Sequence, residues 1–253
     1  MDFEHAKSVF EEYLNGYDRE NDKVKLKIVH TYGVVRCSEE IGWRMELPAE
    51  DMELAKLIAL LHDIGRFEQL KRFNSFEADT MDHATYGVKV LFEEGMIRQF
   101  IQEDTWDDVI RTAIAKHSDY ELTGITDERT LLHARLIRDA DKLDNCRVKL
   151  EDAMETLLDL SADEVGKYEI SPKVRKDAFA GKCICSKDRR TPMDYWVSYV
   201  AYFYDLNFRE TLDIVAQEQY VKRIIGRVPY TNQQTKETME ELERQLTEYV
   251  KMK

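Results

Sequence analysis

Turn-forming residues are scarce in this sequence: its 253 residues include only 10 glycines and 4 prolines. Architectures rich in β-structure need such residues far more often, so their scarcity excludes most all-β folds and points to an all-α protein. Cysteine is equally sparse. The four, at positions 37, 146, 183 and 185, are too few and too irregular for a disulfide framework, and Cys183 and Cys185 lack a second pair with which to hold zinc. Apolar runs such as Leu57 to Leu61 fall well short of the roughly 20 residues that cross a bilayer. The opening MDFEHAKSVFEEY is acidic and amphipathic, with neither the basic start nor the apolar stretch of a signal peptide. The expectation is a soluble, cytoplasmic protein with no membrane partner. A surplus of positive charge is also missing, since 37 Lys and Arg stand against 50 Asp and Glu, a formal charge of −13. That balance disfavours general nucleic-acid affinity, which rests on clustered cations. An anionic substrate would have to be held by a metal or by a local basic group.

Helical periodicity is abundant. Apolar residues recur at three- and four-residue spacing over about 2–19, 22–46, 50–64, 81–95, 105–118, 128–160, 172–180, 192–210, 211–226 and 234–252. Breaks fall at Pro48, Gly65, Gly124, Pro172 and Pro192, which suit helix starts and stops. The polar stretch 161–192 divides a helical core over 1–160 from a C-terminal helical cap over 161–253, or else is a long loop within one domain.

The segment 50–64 becomes apolar all round in its second half and ends by carrying His62 and Asp63 inward. Burying a carboxylate beside an imidazole costs several kcal/mol unless a partner compensates, and a cation compensates both at once. Other residues of the same chemistry also face inward. His30 falls on the stripe Leu26, His30, Val34, Cys37, Ile41, and His117 ends the stripe Ile110, Ala113, Ile114, His117. His83 opens a helix in which Gly87, one turn on, leaves room for a metal or ligand. Asp141 follows Ile137 by one turn and precedes Asp144 and Val148 on one face. For any one of these histidines a hydrogen-bonded core role is the commoner one. Four inward histidines with two inward aspartates shift the balance to a metal site.

The order His30, His62-Asp63, Asp141 resembles the H…HD…D pattern of the HD superfamily of metal-dependent phosphohydrolases, and Leu-Leu-His-Asp-Ile-Gly-Arg fits its usual helix end. His83 in Asp-His-Ala-Thr-Tyr-Gly-Val and His117 in Ala-Ile-Ala-Lys-His-Ser are similar to the added ligands of the two-metal subset, which includes bacterial symmetrical diadenosine tetraphosphate hydrolases and HD-GYP phosphodiesterases. The resemblance spans about residues 24–150 and implies an HD-domain helical bundle with additional C-terminal helices. It implies that His30, His62, Asp63 and Asp141 hold one divalent ion, and that Asp63 bridges to a second held by His83 and His117. Iron or manganese is favoured for the mixed nitrogen and oxygen set, with cobalt, nickel, zinc or magnesium as alternatives. The implied reaction is hydrolysis, by a metal-activated water, of a phosphoester or phosphoanhydride in a nucleotide, dinucleotide or other small phosphate compound.

Asp63 and Arg66 are the catalytic candidates. Arg66 stands where relatives place Lys or Arg against a phosphate oxygen; the alternative is a helix C-terminal cation on the dipole. Lys142 is expected to pair at the surface, and Asp139 and Asp144 to orient a ligand or lie on a solvated face. Arg189 and Arg190 read as an exposed loop pair, His5 as a surface residue, and His133 as packing or support for a ligand. The aromatic stripe Tyr195, Trp196, Tyr199, Tyr202, Phe203 docks a helix or forms a homodimer surface more readily than it stacks a nucleobase. Two other functions fit less well: a non-catalytic, metal-bound nucleotide-sensing module, and a single-strand nuclease.

Overall fold

The computed structural model describes residues 1–77 and 79–253. Among the described residues there are helices and no strand, an all-α protein. No helix among them is long and apolar enough to cross a membrane. The chain divides into two compact units, Met1–Asp144 and Asn145–Lys253.

The first unit is built around α3 (Ala49–Leu61), against which α1 (Phe3–Leu14), α2 (Asp22–Arg44) and α7 (Asp107–Lys116) all pack. Leu54, Ala55 and the whole run Leu57 to Leu61 are buried, which is what a helix apolar on every side requires. Pro48 stands immediately before α3, and its fixed φ suits a helix start. Two residues, His62 and Asp63, separate α3 from α4 (Ile64–Phe73). The Tyr13 hydroxyl of α1 donates to the Ile64 carbonyl at 2.9 Å, and Phe10 and Phe67 meet edge to face at 5.8 Å, so α1 holds the start of α4.

The expected helix over 50–64 with a stop at Gly65 is corrected here. The break falls at His62-Asp63, and Gly65 is the second residue of α4. A Cβ on Gly65 would lie 2.2 Å from the His83 carbonyl oxygen of α5 (His83–Val88), so glycine here permits a close helix crossing rather than ending a helix. Gly87 lies on the other side of that crossing, facing Ile64 and Gly65. The space it leaves is taken by the Ile64 side chain and the Gly65 backbone, not by a metal or ligand. After α5 the chain widens into one π-helical turn, Lys89–Glu93, then passes α6 (Ile97–Phe100) and α7 to α8 (Glu128–Glu151), whose residues up to Asp144 belong to this unit.

The second unit holds α9 (Met154–Leu158), α10 (Ala162–Val165), α11 (Pro172–Phe179), α12 (Pro192–Ala201), α13 (Arg209–Gln217), α14 (Tyr220–Ile225) and α15 (Gln233–Met252). Pro172 and Pro192 open α11 and α12, where a missing N–H costs nothing. The amphipathic α15 packs on α11, α13 and α14. Trp196 and Phe203 of the aromatic stripe are fully buried in the core of this unit, Tyr195, Tyr199 and Tyr202 are half-buried, and Arg189 lies 4.3 Å from the Tyr195 ring centroid.

Candidate metal centre

Six helices of the first unit bring the six candidate ligands together. His62 and Asp63 stand in the α3–α4 break. Asp63 is a good N-cap residue by type, yet its carboxylate makes no cap bond and turns into the interior instead. His30 comes from α2, His83 opens α5, His117 follows the last residue of α7, and Asp141 lies on α8. Two groups result: His30, His62 and Asp141 in one, Asp63, His83 and His117 in the other, with the candidate ligand atoms of each group within 4.8 Å of one another. All but Asp141 are buried.

Local hydrogen bonds decide which ring nitrogens carry lone pairs. His62 Nδ1 donates to the Ala59 carbonyl at 2.7 Å, and His117 Nδ1 donates to the Ile114 carbonyl, also at 2.7 Å, the same contact three residues back on two different helices. A carbonyl only accepts, so in the neutral ring each Nε2 carries the lone pair. His62 Nε2 is buried without a hydrogen-bond partner. His83 Nε2 faces Asp63 Oδ1 at 3.1 Å and His117 Nε2 at 3.1 Å, and Asp63 Oδ1 lies 3.6 Å from His117 Nε2. Two cationic donors reach this trio: Arg66 Nη2 meets His83 Nε2 at 2.9 Å, and Lys27 Nζ meets Asp63 Oδ2 at 2.5 Å. Lone pairs crowded in this way suit a cation, and the donor set of imidazoles and carboxylates suits a divalent transition ion.

Burial pushes His62 down to about 4, and burial with the Arg66 guanidinium does the same for His83, so both rings are neutral at pH 7 and able to ligate. Burial would raise Asp63, but the Lys27 ammonium holds it well below the usual carboxylate range. Asp141 is likewise held down against burial by its hydrogen bond from His30. His30 moves the other way. Burial and Lys27 oppose its protonation, yet Asp141 at 3.0 Å on Nε2 and Asp144 at 2.8 Å on Nδ1 raise it. A cation replacing the Nε2 proton would leave the Nδ1 bond to Asp144 intact, the carboxylate–histidine arrangement that orients metal ligands. Asp144 reaches His30 because residue 33, on the adjoining turn of α2, is glycine: a Cβ there would lie 1.9 Å from Asp144 Oδ1.

The remaining sequence candidates fall as follows. Arg66 belongs to the first turn of α4, which removes the alternative of a helix C-terminal cation. Its guanidinium is buried between His83, Gln69 (2.6 Å) and the Phe76 carbonyl (3.2 Å). Asp139 and Asp144 are buried rather than on a solvated face. His133 takes no part in the cluster and pairs with Asp51 on the first turn of α3 at 2.9 Å, where Arg129 also binds at 2.7 Å. His5 is exposed and meets the Gln99 carbonyl at 2.8 Å.

Two residues escaped the sequence reading. Arg138, buried on α8, donates to the carbonyls of Lys116, His117 and Asp119 and so fixes the end of α7 that carries His117. Lys27, on α2 one turn before His30, places its Nζ 2.5 Å from Asp63 Oδ2. Comparison with known proteins found no curated protein and no solved structure that matches the chain. Residues 28–146, a little under half of the chain and a span holding all six candidate ligands and Arg66, match the family model of the HD domain.

Proposed function

We propose that this chain is a two-metal phosphohydrolase that cleaves a phosphoester or phosphoanhydride bond in a small phosphate compound, with nucleotides and dinucleotides as the substrate class. HD domains are typically metal-dependent phosphohydrolases, and the crowding of unprotonated nitrogens around Asp63 is the observation that carries the reading. His30, His62 and Asp141 would hold one ion and His83 and His117 a second, with Asp63 shared between them; iron or manganese suits this donor set best. Bound there, the ions supply Lewis acidity toward the phosphoryl oxygens and lower the pKa of water for in-line attack on phosphorus.

The residues of the chain do the rest. Ala59 and Ile114 carbonyls lock two rings with Nε2 inward, Asp144 fixes the ring plane of His30, and Arg138 anchors the turn that carries His117. Arg66 presents a guanidinium fork beside His83, suited to two oxygens of the transferred phosphoryl group. In the overall reaction the water oxygen bonds to phosphorus, the bond from phosphorus to the leaving oxygen breaks, and the proton passes to solvent.

The test is metal content of the purified chain, followed by phosphate release from a nucleotide and dinucleotide panel with Fe, Mn, Co, Ni and Mg. The reading expects about two transition ions per chain and loss of turnover in His83→Ala and His117→Ala. One ion, with turnover indifferent to those two changes, would overturn the two-metal assignment. No uptake of any ion would overturn the function.

A further inference from the structure

Lys27 is unusual for a lysine: its neighbours one turn away on α2, Val24, His30 and Thr31, are all buried. Its side chain is only 14% exposed, and its ammonium lies 2.5 Å from an oxygen of Asp63, the carboxylate shared by both ligand groups. The Phe76 ring lies alongside, its centroid 5.8 Å from Lys27 Nζ and 5.9 Å from Lys23 Nζ. The Phe76 carbonyl accepts from Arg66, so Lys27 and Arg66 flank Asp63 and both meet Phe76. In a chain of net charge −13, this is a local concentration of cations beside the candidate ligands.

Each ligand carboxylate of the cluster has a polar partner where a metal would sit. His30 Nε2 faces Asp141 at 3.0 Å, and Lys27 Nζ faces Asp63 at 2.5 Å. The two partners differ chemically. A histidine nitrogen can itself ligate an arriving cation, whereas a lysine ammonium is displaced by it and turns to another anion. A flexible four-carbon stem lets it do so without moving α2.

We propose that Lys27 is a phosphate-binding residue with two positions: paired with Asp63 while the centre holds no metal, and turned onto a substrate phosphoryl oxygen once a divalent ion draws Asp63 away. This deepens the phosphohydrolase reading above and rests on it. Together with Arg66 it gives the site two cations of different shape, a compact ammonium and a planar fork, for the oxygens of one phosphate group or of adjacent groups in an anhydride.

Lys27→Met removes the charge, and Lys27→Gln removes it while keeping a donor for Asp63, which guards against loss of the fold. In full-length protein, Mn²⁺ affinity is measured first, then the affinity of inorganic phosphate for the Mn²⁺-loaded form. We expect Mn²⁺ to bind either variant at least as tightly as the parent chain, since a competing ammonium has gone. Phosphate should bind the loaded variants about tenfold more weakly or worse. Thermal melts should show Lys27→Met destabilising the chelated protein more than the Mn²⁺-loaded one. Phosphate affinity unchanged in both variants, or Mn²⁺ affinity falling about tenfold, would make Lys27 only a brace for Asp63 and overturn this inference alone. A parent chain that takes up no divalent ion would overturn this inference and the proposed function together.

Discussion

Three buried histidines of the first unit are kept neutral by burial, and that carries a cost in acid. His62 and His83 titrate at about 4, and burial also pushes His133 below its ordinary value, against the pull of Asp51. A histidine whose folded value lies below its unfolded one is protonated first in the unfolded chain, so stability is lost as pH falls from about 6.5 toward the folded value. His30 has the opposite sign: its value is raised, so its contribution is complete below about 6.5 and fades as pH rises through the folded value. With three groups against one, the chelated protein should melt at a markedly lower temperature at pH 5 than at pH 7, His62 and His83 each accounting for about 2 kcal/mol. Circular dichroism melts with chelator present check this, and an equal or higher melting temperature at pH 5 would refute it. The same residues explain what was readable beforehand. His30, His62 and His117 interrupt apolar stripes, and an imidazole on such a stripe has few roles open to it. Lys27 sits among Lys23 and Lys25 on a helix, where lysines usually face water, and only the fold reveals that one of the three turns inward.

At the scale of elements, the site depends on a helix that breaks without a breaker. Nothing in Leu-Leu-His-Asp-Ile-Gly-Arg forces α3 to end at Leu61, and the glycine that follows reads more naturally as a stop. The reason for Gly65 lies in α5, a distant part of the chain, because the His83 carbonyl occupies the place of its Cβ. Gly65→Ala should therefore force α4 and α5 apart. The obstructing atom is backbone and cannot rotate away, so we expect a loss of about 2 kcal/mol together with weaker Mn²⁺ binding as His83 shifts. Thermal melts and a Mn²⁺ titration of the variant check both; a variant that melts with the parent would show that the crossing can relax. Alanine at Gly95, whose Cβ would meet nothing within 4 Å, is not an equivalent control because its φ of +77° is strained for any side chain. The longer helices are legible from periodicity, whereas α4, α6, α10 and the π-helical turn after α5 are not, being short or set by their neighbours, and the single helices expected over 128–160, 192–210 and 211–226 each divide, after Glu151, Ala201 and Gln217.

At the scale of the whole molecule, the charge of −13 opposes the approach of the anionic compounds that the site is proposed to hydrolyse. Repulsion between the chain and a nucleotide weakens as salt shortens the Debye length, from about 30 Å at 0.01 M to about 10 Å at 0.1 M. Over that range kcat/KM for a dianionic or more highly charged substrate should rise, the reverse of the usual steering by a cationic surface. A series in chloride salts checks this, and a fall would mean that Lys27 and Arg66 dominate the field at the entrance. The distance over which residues depend on one another also emerges only at this scale. Glycine at 33 exists so that the Asp144 carboxylate can reach His30, and that carboxylate has little to orient unless residue 33 stays bare. The two positions are therefore coupled: a side chain at 33 must push the Asp144 carboxylate away from His30 unless residue 144 is shortened as well, so substitutions tested one site at a time read a single constraint twice.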